Sequence, residues 1–153
     1  MIGAGCNLHT EVERKTRFLM AGIVPGKTAG ESVGARLAMF SPLPAGARVG
    51  VTHDNGTGFA RHTRLRDEPG MDTYFADPYS SWQRGSNENG NGMIRRYLPK
   101  RSEIRMDMAG GLREIVDEAD NRPMRVLGYR TPAEAFADEL LELQDQQGCC
   151  TSK

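Results

Sequence analysis

Short apolar runs alternate with clusters of turn residues along this chain, and the spacing inside each run separates strands from helices. Val12 to Val24 reads as a hairpin. The charged cluster Glu13-Arg14-Lys15 predicts its turn, and Phe18 to Val24 its second strand, stopped by Pro25-Gly26. A helix is expected from Lys27 or Thr28 to about Phe40, because Val33, Leu37 and Phe40 recur at steps of four and three. Pro42 and Pro44 end it. Arg48 to His53 predicts a short strand. Thr57 to about Arg66 predicts a helix closed by Glu68-Pro69-Gly70, and Thr73 to Ala76 a further strand closed by Asp77-Pro78.

The second half of the chain reads as helical. From Met108 to Ala119 the period puts Leu112, Ile115, Val116 and Ala119 on one inward face, and Asn121-Arg122-Pro123 ends the run. Thr131-Pro132-Ala133-Glu134 predicts another helix start. Threonine caps, proline suits the first turn, and Glu134 completes a capping box. That helix is expected to reach about Leu143. The stretch 85–92 is ambiguous, because Gly85, Gly90 and Gly92 each cost about 1 kcal/mol in a helix relative to alanine. A helix from Asn87 to Leu98 therefore forms only where packing or function demands it. The order of elements predicts an α/β layer on a mixed sheet flanked by helices. Residues 1–10 are weakly patterned, 11–143 read as one domain, and 144–153 as a frayed tail.

A chain of 153 residues suits one domain with a real core. The balance of 20 basic and 20 acidic residues argues against a chain-wide nucleic-acid footprint and leaves room for a local one. The charges are segregated. Arg84, Arg95, Arg96, Lys100, Arg101 and Arg105 crowd positions 84–105 against Glu88 and Glu103. Positions 134–147 hold Glu134, Asp138, Glu139, Glu142 and Asp145 with no Lys or Arg. Cys6, Cys149 and Cys150 fit neither zinc spacing nor a disulfide framework, and read as thiols in a reducing compartment. No run approaches the roughly 18 apolar residues of a membrane span, and no basic-then-apolar leader opens the chain. Cytoplasmic residence is the default expectation.

Two acids stand out. Asp54 closes Val51-Thr52-His53-Asp54-Asn55-Gly56, an apolar run ending in a turn, and Glu88 sits in Ser86-Asn87-Glu88-Asn89-Gly90. An acid at a strand end and another on a following helix can share Mg²⁺ or Mn²⁺, hard cations that take oxygen ligands. Taken alone, Asp54 is equally a turn aspartate and Glu88 a surface-helix glutamate. Alternation puts His53 on the strand face opposite Asp54, which suits packing or the surface. Arg84, Asn91, Arg95 and Lys100 can contact backbone phosphates or form a solvated face, and Asn87 lies one helical turn before Asn91. Trp82 and Tyr79 can stack on a base or pack under a loop.

The surroundings of these acids are specific. Tyr74-Phe75-Ala76-Asp77-Pro78-Tyr79-Ser80-Ser81-Trp82-Gln83-Arg84-Gly85-Ser86-Asn87-Glu88-Asn89-Gly90-Asn91-Gly92, followed by Met93 to Lys100, closely resembles the catalytic region of IS30-family transposases. Val12-Glu13-Arg14-Lys15-Thr16-Arg17-Phe18, Asp54-Asn55-Gly56, Asn121-Arg122-Pro123 and Leu127-Gly128-Tyr129-Arg130-Thr131-Pro132-Ala133-Glu134 match as well, so that the resemblance covers about residues 10–140. It implies an α/β, ribonuclease-H-like integrase core that cleaves and transfers DNA strands with divalent metal. Asp54 resembles the second acid of an Asp-Asp-Glu triad and Glu88 the third. Trp82, Gln83, Arg84, Asn87, Asn91, Arg95 and Lys100 are the candidate nucleic-acid contacts.

The family places its first aspartate on a strand before Val12. Only Met1 to Glu11 precede that residue here, Glu11 is their single acid, and its place does not match. Gly58 stands where the family usually has glutamate. The expectation is an incomplete fold with its first strand missing, and impaired transposition. DNA is the expected partner, with this chain itself or an intact transposase in an oligomer, at the nucleoid of the bacterial cytoplasm. The alternatives are a non-catalytic DNA-binding or transposase-interacting remnant, and an unstable product with no role.

Overall fold

The computed structural model describes residues 6–26, 28–48, 50–53, 72–75 and 85–149. The helix expected at Thr57 to Arg66 lies outside the described residues. Strand β1 (Asn7–Val12) pairs antiparallel with β2 (Leu19–Val24), with Asn7 opposite Val24 and Val12 opposite Leu19. The hairpin turn is made by the charged cluster itself. The Glu13 carboxylate accepts the backbone N–H groups of Lys15 and Thr16, at 3.0 and 2.5 Å, and the Thr16 hydroxyl at 2.6 Å. Burial raises the Glu13 carboxyl, but those hydrogen bonds outweigh it and hold the group below its ordinary value. Arg17 takes a left-handed φ of 65° and donates its N–H to the Glu13 carbonyl at 2.9 Å, closing the turn.

Helix α1 (Ala29–Phe40) begins on a capping box, with Thr28 and Glu31 bonding each other's backbone N–H. It packs Val33 and Phe40 on one face of the hairpin, together with Met20, Leu37, Met39 and Leu43. Helices α2 (Gly85–Ile94) and α3 (Ala109–Asp120) cover the other face. There Leu19, Ile94, Leu112 and Ala119 form the second cluster, flanked by Leu8, Val12, Ala21 and Ile23. The two-residue period of a strand explains the sorting: Leu19, Ala21 and Ile23 serve one cluster and Met20 the other. On β1, Val12 packs in the second cluster, while Glu11 reaches α1. Arg36, 1% exposed, donates from Nε to Glu11 Oε1 at 2.5 Å, and His9 Nε2 lies 3.0 Å from the same oxygen. Burial raises the Glu11 carboxyl, but His9 and Arg36 together hold it below its ordinary value.

Strands β3 (Gly50–His53) and β4 (Asp72–Phe75) pair parallel, with Gly50 opposite Asp72. Among the described residues the strands thus form two separate pairs, one antiparallel and one parallel, rather than one continuous mixed sheet. A ladder needs a neighbour within about 4.7–4.9 Å, and no described strand occupies the second edge of β1 or of β3. Helix α4 (Pro132–Cys149) starts on the expected Thr131–Glu134 capping box and continues six residues past Leu143. Phe136 stacks on Phe18 with ring centroids 4.3 Å apart, and Lys15 pairs with Glu139, so the acidic helix docks on the hairpin turn.

The glycine run of α2 is helical because one of its members is a point of close approach. A Cβ on Gly90 would lie 2.9 Å from Val12 Cγ2 and 3.1 Å from Leu19 Cδ1, whereas nothing stands within 4 Å of one on Gly92. The helix ends at Ile94, short of the expected Leu98, and residues 95–98 form turns ahead of Pro99. Gly90→Ala is expected to destabilise the fold by about 1–2 kcal/mol through overpacking, despite the better helix propensity of alanine. Gly92→Ala is expected to stabilise it by up to about 1 kcal/mol. Urea midpoints of the two variants check this, and equal shifts of one sign contradict it.

Asp120 closes α3 with its side chain 4% exposed, and Oδ1 accepts the Leu19 N–H at 3.0 Å. Burial, aided by Asp117, pushes its carboxyl up to about 7 against a lowering contribution from the Leu19 bond. The folded chain therefore keeps a proton that the unfolded chain releases near pH 4, and stability falls as pH rises from about 4 to 7. Asp120→Asn keeps the oxygen acceptor and cannot ionise. It is expected to raise Tm by about 5 °C at pH 8 and by clearly less at pH 5. Thermal melts followed by circular dichroism test this, and an equal shift at both pH values contradicts it.

Candidate active site

Asp54 follows His53, the last residue of β3, and lies outside the described residues, as do Tyr79, Trp82, Gln83 and Arg84. Glu88 stands in the first turn of α2 with its side chain exposed. Its carboxylate makes no hydrogen bond or ion pair among the described residues.

The rotation of α2 is set by Asn87, the residue before Glu88. Asn87 is buried against β1, and its Nδ2 donates to the Thr10 carbonyl at 3.2 Å. Its Oδ1 accepts from Asn91 Nδ2 at 3.2 Å, and the Thr10 hydroxyl lies 2.6 Å from Asn91 Oδ1 and 3.1 Å from Asn87 Oδ1. Both ends of the Asn87 amide are therefore engaged inside the protein. Asn91 is half-buried in the same network, and Arg95 and Lys100 are exposed. Arg17 donates from Nη1 to the Ser86 hydroxyl, pinning the first turn of α2 to the hairpin. With Asn87 and Gly90 facing β1, Glu88 is left on the outer side of the helix.

A cavity of about 240 Å³ lies where β1, β3 and α2 meet. Glu11, Glu13, Gly50, Thr52, Ser86 and Asn87 contribute to its walls. Gly50 and Thr52 of β3 and the start of α2 thus border one space, although Glu88 itself does not line it. Among the described residues no three His, Cys, Asp or Glu side chains cluster so as to hold a metal ion. Glu11 is committed to Arg36 and His9.

The pattern reading passed over His9, Thr10 and Arg36. Extending the two-residue alternation of β1 back from Val12 would have put His9 and Glu11 on one face and Thr10 on the other. Arg36 falls three residues after Val33, inside the apolar stripe of α1, where an unpaired charge is costly. Arg130 pairs with Asp138 of α4.

The chain is 34% identical over 135 residues to the transposase for insertion sequence element IS1086 of Cupriavidus metallidurans, covering 88% of this chain and 40% of that protein. It is 36% identical over 128 residues to the transposase InsI for insertion sequence element IS30A of Escherichia coli K12, covering 84% and 33%. This chain belongs to the IS30 transposase family. A third relative in the family, the transposase for insertion sequence element IS4351 of Bacteroides fragilis, is 42% identical over 86 residues, covering 56% of this chain and 26% of that protein. The IS30-family chain therefore spans 40% or less of the length of these relatives. No family model matches it.

Among solved structures, the catalytic core domain of BIV integrase superposes with a TM-score of 0.64 at 18% identity, over 92% of this chain and 88% of that one. The simian T-cell lymphotropic virus intasome in complex with the PP2A regulatory subunit B56 gamma gives 0.67 at 19%, over 84% and 47%. The fold is thus that of an integrase catalytic core, ribonuclease-H-like and incomplete in its described strands. Among the described residues no helix is long and apolar enough to cross a membrane.

Proposed function

We propose that this chain holds the strand-cleaving and strand-joining machinery of an IS30-type transposase core, with weak activity of its own. One observation supports the reading above others. Thr52 of β3 and Ser86 and Asn87 of α2 border the same cavity, and in sequence Asp54 stands two residues after Thr52 while Glu88 follows Asn87. Both are hard oxygen donors of the kind that hold Mg²⁺ or Mn²⁺. A divalent cation held there would polarise the scissile phosphate and activate first a water and then the freed 3′-hydroxyl.

The residues of the chain divide the remaining work. The Thr10–Asn87–Asn91 bonds lock the rotation of α2, and Glu88 has no partner among the described residues. Asn87 acts in this scheme by positioning, and Asn91 can serve both the network and the DNA. Trp82, Gln83, Arg84, Arg95 and Lys100 complete the set of DNA contacts. Glu11, the carboxylate of β1, is committed to Arg36 and His9, which is the reason to expect weak chemistry. The same observation favours a second reading, a non-catalytic DNA-binding partner that joins an intact transposase in an oligomer. Either role belongs at the nucleoid of the bacterial cytoplasm.

Nicking of end-labelled duplex DNA in Mn²⁺ separates the two. Under the first reading nicking is slow, stops on chelation, and falls at least about 100-fold in both Asp54→Ala and Glu88→Ala. Nicking that survives both substitutions contradicts it. DNA binding unaltered by either substitution, with no nicking from any form, supports the second reading.

A further inference from the structure

We infer that a cavity between the β1–β2 hairpin, α2 and the end of α3 is a binding site for a small primary amine carried on an apolar body. Its volume is about 310 Å³, the lower end of the range that small-molecule pockets occupy. The buried Leu19, Gly90, Ala119 and Asp120 form the inner wall, and the exposed Asn89 and Val126 form the mouth. The site needs neither Asp54 nor Glu88, and stands whether or not the chain cleaves DNA.

The Asp120 carboxyl sets the class of ligand. It is 4% exposed, and among the described residues its one hydrogen bond is the Leu19 N–H on Oδ1, at 3.0 Å. A carboxylate offers about four acceptor positions, and buried polar groups ordinarily fill theirs. No cation pairs with Asp120 among the described residues. Arg17, the other charged side chain on the wall, gives Nη1 to the Ser86 hydroxyl. Neither α2 nor the turn after α3 contributes a titratable side chain to the wall, and Asp117 on α3 adds like charge. Negative charge at Asp120 is therefore costly as it stands, and an ammonium group seated against Oδ2 neutralises it in place of a proton.

The rest of the wall excludes other ligands. An anion drawn by Arg17 would enter the same cavity as the Asp120 carboxylate and be repelled by it. A small hydrated cation would give up water to Val12, Leu19, Met93, Ala119 and Met124, which offer it nothing in return. Those side chains favour an apolar body behind the ammonium group. Met93 and Met124 supply unbranched chains that adapt to its shape, and their sulfurs make favourable contacts with an aromatic ring. A Cβ on Gly85 would meet nothing within 4 Å, so the mouth is open beside α2.

Calorimetric titration of the full chain with phenethylamine, and with phenethyl alcohol as its uncharged counterpart, tests the site. At pH 8 the amine is expected to bind at least about tenfold more tightly than the alcohol. Asp120→Asn, which keeps an acceptor for the Leu19 N–H, should abolish that difference and leave the alcohol as it was. Burial holds the Asp120 carboxyl up to about 7, so amine affinity in the parent should fall at least about tenfold from pH 8 to pH 5 while the alcohol binds alike at both. NMR shifts on adding the amine should centre on the Leu19 amide and the methyl groups of Met93 and Met124. Should Asp120→Asn not fold, the pH dependence and the shifts of the parent decide the matter. No binding of the amine, equal binding of amine and alcohol, an affinity unmoved by the substitution or by pH, or shifts centred on the acidic helix α4 overturns the site.

Discussion

The Arg36 guanidinium donates to Glu11 in the layer between α1 and the β1–β2 hairpin, and neither charge can be left there alone. Removing one partner of a buried pair costs about 3–5 kcal/mol, a large part of the 5–15 kcal/mol by which a domain is usually stable. Glu11 sits on one face of β1. On the other, Thr10 bonds Asn87 and Asn91, and Val12 presses against the backbone of α2 at Gly90. The register of β1 is therefore fixed from both sides. A slip of one residue would carry Glu11 into the apolar cluster of Leu19, Ile94 and Leu112 and would expose Val12. The position of α2, and through it the outward stance of Glu88, follows from that constraint.

Charge is distributed by the same economy of space. The acidic helix α4 lies on the hairpin turn, where Lys15 meets Glu139, and Arg130 meets Asp138 beside it. Its carboxylates are thereby partly neutralised at that end of the molecule. Among the described residues the cations after α2 have no such counterpart, so a chain with no formal net charge still presents a local basic groove. A zero balance describes the whole chain and says little about any one surface.

Local signals in the sequence were strong enough to be read directly. The cluster Glu13 to Lys15 made the hairpin turn, Thr131 to Glu134 made the capping box, and the inward face of α3 fell on Leu112, Ile115, Val116 and Ala119. What escaped depended on contacts between distant residues. The helicity of residues 85–94 against three glycines requires Val12 and Leu19 beneath Gly90, seventy or more positions away. The pairing of Glu11 with Arg36 spans 25 positions. Residues 7–10 look unpatterned because a histidine, a threonine and an asparagine do strand work there, held by the register with β2. The expected end of the last helix was early because no breaker stands between Leu143 and Gly148. Of the site itself, the approach of β3 to the start of α2 could be expected only from family resemblance, since no spacing rule brings a strand end to a helix thirty residues later.

The proposed chemistry requires the carboxylates of Asp54 and Glu88 to share one cation. Titrating Mn²⁺ into the isotope-labelled chain and following amide broadening by NMR tests this directly. Broadening should centre on the amides just after β3 and in the first turn of α2, and should vanish in both Asp54→Asn and Glu88→Gln. Broadening centred on the acidic helix α4, or left unchanged by either substitution, contradicts it.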